Sequence, residues 1–145
     1  MMTIDTALVY QSSKLGDVTY TPEDVIRFPH GIPGFEKFRE FLLVTREECD
    51  PFIFLAALEH PDVTLPLMPL APSTLSVRLS AAMLAPLAMS GDDTIGYYAV
   101  ATIGLNATEI IVNLRAPMVI NLDTRLGCQI ILPDERLPLA SPIPA

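Results

Sequence analysis

Cysteine, basic charge and long apolar runs are all scarce in this chain, and each scarcity removes a class of function. Only two of its 145 residues are cysteines, Cys49 and Cys128. They lie far apart, with no CxxC and no Cys/His cluster, so no zinc-type site is encoded and reduced thiols are expected. Lys and Arg number 9 against 17 Asp and Glu, a net charge of −8. Phosphate contacts are made by basic side chains, so direct binding to RNA or DNA is disfavoured. The longest charge-free stretches, Val63 to Val77 and Thr94 to Thr108, fall short of the roughly 18 residues a membrane-spanning helix needs. Also missing are GxGxxG, GxxxxGK[ST] and GxSxG, which leaves no phosphate cradle and no nucleophile elbow. The opening "MMTIDTALVY" carries Asp5 where a secretory signal carries positive charge, so a cytoplasmic location is expected.

What the chain does have is proline and short apolar segments. Fourteen prolines spread along the length forbid long helices, since an interior proline removes a backbone donor and clashes with the preceding turn. Half of the residues are hydrophobic and mean hydropathy is +0.41, enough for a packed core. Short runs rich in Val, Ile, Thr, Phe and Tyr, spaced by turn signals, predict an all-β, small, compact, barrel-like single domain over residues 1–145, with one or two short helices. Strands are expected at Thr3–Tyr10, Leu15–Tyr20, Glu40–Thr45, Pro51–Leu58, Val63–Met68, Leu75–Leu79, Gly96–Ile103, Glu109–Arg115, Pro117–Leu122 and Cys128–Leu132. Thr21-Pro22-Glu23-Asp24 reads as a capped helical turn, and Ser80–Met89 as a short helix limited by Pro86. Residues 133–145 are proline-rich and aperiodic, either a strap over the barrel or a frayed tail.

Two blocks stand out. In "FPHGIPGF", Phe28 to Phe35, Pro33-Gly34 suit the centre of a type II turn, and residues before proline are pushed towards extended backbone. The block reads as extended, turn, extended, with Phe28 and Phe35 as apolar anchors. In "DTRLG", Gly127 is expected to take the left-handed conformation that ends a hairpin. Ala116-Pro117 should bend the chain, tied by the side chains of Asn113 and Asn121. His30 and His60 are the only groups able to exchange a proton near neutral pH, and neither has a nucleophile or partner announced in the sequence. A binding role follows by elimination; a small-ligand barrel and a His-dependent hydrolase are the alternatives.

These residues carry a resemblance to the FliW family of flagellar assembly factors. "LGDVTYTPEDVIRFPHGIPGFEKFREFLLV" (Leu15 to Val44) resembles the family's N-terminal signature. "PFIFLAALEHPD" (Pro51 to Asp62) continues it, and "NLRAPMVINLDTRLGCQIIL" (Asn113 to Leu132) is similar to its APxxxN…TRxGxQ block. The chain departs from the family between Leu65 and Asp93, where "LPLMPLAPSTL" and "SAAMLAPLAMS" replace an aliphatic strand and an acidic region. The resemblance implies a cofactor-free protein that works by protein–protein contact. It would bind the translational regulator CsrA, a basic RNA-binding dimer, relieve repression of flagellin messages, and itself be sequestered by flagellin.

An acidic surface suits a basic partner. The acids on or near turns, Asp17, Glu23, Asp24, Asp92, Asp93, Asp123, Asp134 and Glu135, are the expected contact residues. Phe28, Pro29, Gly31, Pro33, Gly34, Phe35, Asn113, Ala116, Pro117, Asn121, Thr124, Arg125, Gly127 and Gln129 match family motifs and are expected to serve shape.

Overall fold

The structure is a computed structural model and describes residues 7–71, 79–103, 110–132 and 141–142. Eleven strands are present among the described residues: β1 (Leu8–Ser12), β2 (Gly16–Tyr20), β3 (Ile26–Arg27), β4 (Glu40–Thr45), β5 (Ile53–Ala57), β6 (Thr64–Leu70), β7 (Ile95–Ile103), β8 (Ile110–Val112), β9 (Met118–Asn121), β10 (Leu126–Gln129) and β11 (Ser141–Pro142). Strands β7, β6, β5, β4, β3, β10 and β9 follow one another edge to edge, and β9 pairs again with β7. The result is a closed seven-stranded barrel. Strands β8 and β11 extend it from β7, while β1 and β2 form a separate hairpin. The all-β, barrel-like expectation holds.

Side chains fill the barrel. Ile26, Phe28, Phe41, Leu55, Leu67, Met118 and Ile120 are fully buried in one cluster. That interior is a packed core and not a ligand chamber, which removes the small-ligand barrel as a reading. The outer wall is covered too. Leu42 and Val44, on the opposite face of β4 from Phe41, pack under hairpin residues Tyr10, Val18 and Tyr20. Val119 and Cys128 lie under Met83, Leu84 and Leu87 of the short helical segment. Both faces are buried, so "EFLLV" and "MVI" read as continuous apolar runs and lack the alternation of a half-exposed strand.

The two sequence blocks meet where the barrel closes. Strands β3 and β10 pair in parallel through Arg27 and Leu126, and the Arg27 amide donates to the Arg125 carbonyl at 2.9 Å. Phe28 enters the core beside Phe41, ring centroids 5.1 Å apart and edge to face. The expected extended segment before Pro33-Gly34 is instead a first tight turn, in which the Gly31 amide donates to the Phe28 carbonyl at 2.9 Å. The expected turn follows it at once, with the Phe35 amide on the Ile32 carbonyl at 2.7 Å. The second turn needs positive φ at its third residue, supplied by Gly34 at 89°, and Gly31, which ends the first, also takes a positive φ of 70°. Phe28 and Ile32 are the buried anchors, and Phe35 is half-buried.

Three local expectations are corrected. The left-handed residue of the β9–β10 hairpin is Arg125, with φ of 60°, and not Gly127. Gly127 lies inside β10 opposite Ile120, and a Cβ there would stand 2.6 Å from the Phe28 ring. Glycine is required by that contact. Asn121 does not tie the Ala116-Pro117 bend. Fully buried, it donates to the Leu87 carbonyl at 3.1 Å and the Asp93 carboxylate at 2.7 Å, and accepts from the Asp123 and Thr124 amides at 3.0 and 3.2 Å. The bend is held by Asn113, which accepts from the Arg115 amide, and by Gln129, which donates to the Ala116 carbonyl, each at 3.0 Å. The last expected strand begins earlier, at Leu126, because Gly127 belongs to it.

Other boundaries follow from the same pairings. Of the strand expected at Thr3–Tyr10, Thr3 to Thr6 lie outside the described residues and β1 runs from Leu8 to Ser12, while the segment at Pro51–Leu58 narrows to β5. Thr21 opens a 3-10 turn over Pro22–Asp24 through a capping box. Ser80 accepts from the Met83 amide at 3.2 Å to cap α1 (Ala81–Leu84), which tightens into 3-10 geometry at Ala85–Leu87 around Pro86. The expected strand at Leu75–Leu79 lies outside the described residues except for Leu79, which is in no strand. Of the C-terminal segment, Ser141 and Pro142 pair with Val112 and Ile111, and the rest is outside the described residues.

Candidate functional site

No catalytic arrangement forms around the histidines. His30 is exposed in the first turn of the Phe28–Phe35 block. His60 Nδ1 accepts from the Asp62 amide at 3.2 Å, and its ring rests 5.8 Å from that of Phe38. Neither shares a hydrogen bond with a Ser, Cys or second His among the described residues. No three His, Cys, Asp or Glu residues there are grouped to hold a metal ion. No helix of the described residues is long and apolar enough to cross a membrane.

The acids named from the sequence divide by what their carboxylates do. Asp24 accepts from the Thr21 amide at 2.8 Å within the capping box. Asp123 accepts from the Thr94 amide at 2.6 Å. Asp93 accepts from the Ser90 amide at 2.8 Å, from Asn121 and from the Ser90 hydroxyl, and these bonds hold its carboxyl below the usual carboxylate range against a small opposing effect of desolvation. All three lock turns. Asp17, Glu23 and Asp92 are exposed, and their carboxylates make no hydrogen bond among the described residues. Asp134 and Glu135 lie outside the described residues. The acids are spread over several turns and do not form one patch.

Several grooves lie on the outside of the barrel, two of which differ clearly in charge. One, of about 500 Å³, runs beside the barrel seam under the end of the hairpin and is lined by Leu8, Tyr20, Glu23, Val25, Arg27, Glu40, Leu58 and Arg125 among others. Its charges balance, with Arg27 paired to Glu40 at 3.6 Å. The second, of about 290 Å³, has a floor of Phe52, Phe54, Pro66 and Ala101 and is edged by Glu48, Cys49 and Asp50. It opens into a shallower depression that adds Glu47, Arg46 and Pro69. Glu47, Glu48 and Cys49 form a 3-10 turn that buries no residue of its own. The sequence shows these acids as an adjacent pair near a turn. It does not show the aromatic floor, which is assembled when β5 pairs with β6.

The barrel is filled, and its grooves and unpaired carboxylates lie on its exterior. A family model of the FliW protein matches residues 9–143 of the chain. Flagellar assembly factor FliW of Clostridium tetani is 33% identical over 132 residues, covering 88% of this chain and 90% of that protein. Its counterpart in Carboxydothermus hydrogenoformans is 34% identical over 137 residues, covering 92% and 87%. A crystal structure of the flagellar assembly factor FliW superposes with a TM-score of 0.81 at 29% identity, covering 93% of this chain and 96% of that one. The barrel, the seam that joins its two sequence blocks and the match along nearly the whole chain lead to one conclusion: the chain belongs to the FliW family.

Proposed function

We propose that the protein is a cytoplasmic, non-catalytic flagellar assembly factor that works by partner exchange. It binds CsrA and so antagonises repression of flagellin mRNA translation, and flagellin sequesters it in turn. Export of flagellin frees the protein, which then captures CsrA and allows more flagellin to be made. The observation that carries this reading is membership of the FliW family over residues 9–143, whose relatives are named flagellar assembly factors. A net charge of −8 supports it, because a negative surface steers a basic partner and repels the RNA that partner holds. Antagonism then requires tighter binding to RNA-free than to RNA-bound CsrA. Purified protein is expected to retain CsrA in a pull-down at low ionic strength and to release it when flagellin is added. Protein that ignores both, or that turns over a metabolite, overturns the reading.

A further inference from the structure

The groove beside the Glu47–Cys49 turn combines an apolar floor with uncompensated negative charge. Glu47, Glu48 and Asp50 are exposed, and none of their carboxylates makes a hydrogen bond or ion pair among the described residues. Arg46 forms no ion pair with any of them, so three carboxylates stand beside one cation and the edge stays net negative. Arg46 directs its guanidinium to the carbonyls of Thr45, at 3.3 Å, and Leu15, at 3.1 Å. Beneath the carboxylates, Phe52 and Phe54 are only partly buried, and Pro66 and Ala101 complete the floor. At about 290 Å³ the groove sits at the lower limit of small-ligand sites, a size suited to anchoring side chains of a peptide.

We propose that this groove docks a basic, amphipathic segment of a partner protein, with an apolar side chain on Phe52 and Phe54 and flanking Lys or Arg beside Glu47, Glu48 and Asp50. Charge complementarity decides the class of occupant. An acidic segment would meet three unpaired carboxylates, and a second copy of a chain carrying −8 would meet the same repulsion. The groove beside the seam, with its charges balanced, has no such preference. If the partner is CsrA, the proposal rests on the function proposed above and assigns its contact surface.

Cys49, at the groove edge and half-buried, is a reporter in place. Cys128 is buried, and desolvation pushes its thiol up to about 11, so alkylation at neutral pH reads Cys49. Three measurements on the full chain test the proposal. A short peptide of alternating Lys and Leu is expected to slow alkylation of Cys49 several-fold, and a Glu/Leu peptide of the same length to leave it unchanged. The variant Glu47→Lys/Glu48→Lys, with an unchanged melting temperature, is expected to lose the Lys/Leu effect. It should also associate with CsrA about tenfold more slowly at low ionic strength, with a flattened salt dependence. Protection by both peptides or by neither overturns the docking site. CsrA binding that the variant leaves untouched, with Cys49 still open to alkylation in the complex, removes this groove while leaving the partner reading intact. Protection by Lys/Leu peptide without any CsrA binding by the wild-type protein does the reverse.

Discussion

At the barrel seam, Phe28 is fully buried and a single methyl on Gly127 would stand 2.6 Å from its ring. At the acidic groove, Glu47 and Glu48 are exposed on a turn that buries nothing. Both regions lie at turns and both carry residues that stand out in the sequence. They differ in how tightly each side chain is specified: the seam fixes shape to a fraction of an ångström, whereas the groove fixes only the sign of its charge and the apolar character of its floor. Phe28, Arg125 and Gly127 meet at the seam, and their contacts there are what specify them.

The largest effect that sharpens this difference is expected from Phe28→Ala, which empties the middle of the core and should cost about 3–5 kcal/mol of stability in urea unfolding. Gly127→Ala forces the same ring to move and should cost about 1–3 kcal/mol. In a Phe28→Leu background the Gly127→Ala cost should fall, and a double-mutant cycle measures the coupling. Strict additivity would show that the ring does not dictate the glycine.

Asn121→Ala comes next. It leaves the Asp123 and Thr124 amides without their side-chain acceptor and takes one donor from the Asp93 carboxylate and one from the Leu87 carbonyl, which keeps the Thr124 hydroxyl, a loss of about 1–3 kcal/mol by the same measurement. Arg125→Gly is expected to change stability by less than about 1 kcal/mol, because glycine relieves the positive φ while adding chain entropy. A larger loss there than at Gly127 would reverse the assignment of the two positions.

Asp93 gives a pH-dependent test. Its folded-state carboxyl titrates below the ordinary range, so its contribution is present above the unfolded-state pKa and is lost as pH falls through the lowered folded-state value. The stability advantage of wild type over Asp93→Asn should therefore hold at neutral pH and shrink through the acid range. An advantage that does not depend on pH would assign it to shape alone. Smallest of all, Glu47→Lys/Glu48→Lys should leave the urea midpoint within about 0.5 kcal/mol of wild type. A substantial loss would mean that the groove edge is also scaffold.

The barrel was legible in the sequence where segments are long and bounded. Glu40–Thr45 is β4 to the residue, because an apolar run between charged and polar flanks has one good reading. Strand β3 could not be read, since Ile26–Arg27 is too short to show a period and exists only by pairing with β4 and β10. Gly127 was visible, but its reason was not: the ring that excludes a side chain is 99 positions away in the chain. Asn121 was visible as a candidate tie, and only the fold reveals that the 3-10 segment Ala85–Leu87 and the Asp93 turn are what it holds. The acids were countable from the start, yet which of them are committed to turn amides depends on backbone conformations that composition does not encode.

The seam at Arg27 and Leu126 also has a bearing on synthesis. A chain emerging from the ribosome can complete the β4–β5 and β5–β6 hairpins early, because their partners are adjacent in sequence. Strand β3, however, keeps an unpaired edge until β10 has been translated. For most of translation the nascent protein is an open, sticky sheet and not a ring. Its closest approach to aggregation comes before the last fifth of the polypeptide leaves the exit tunnel.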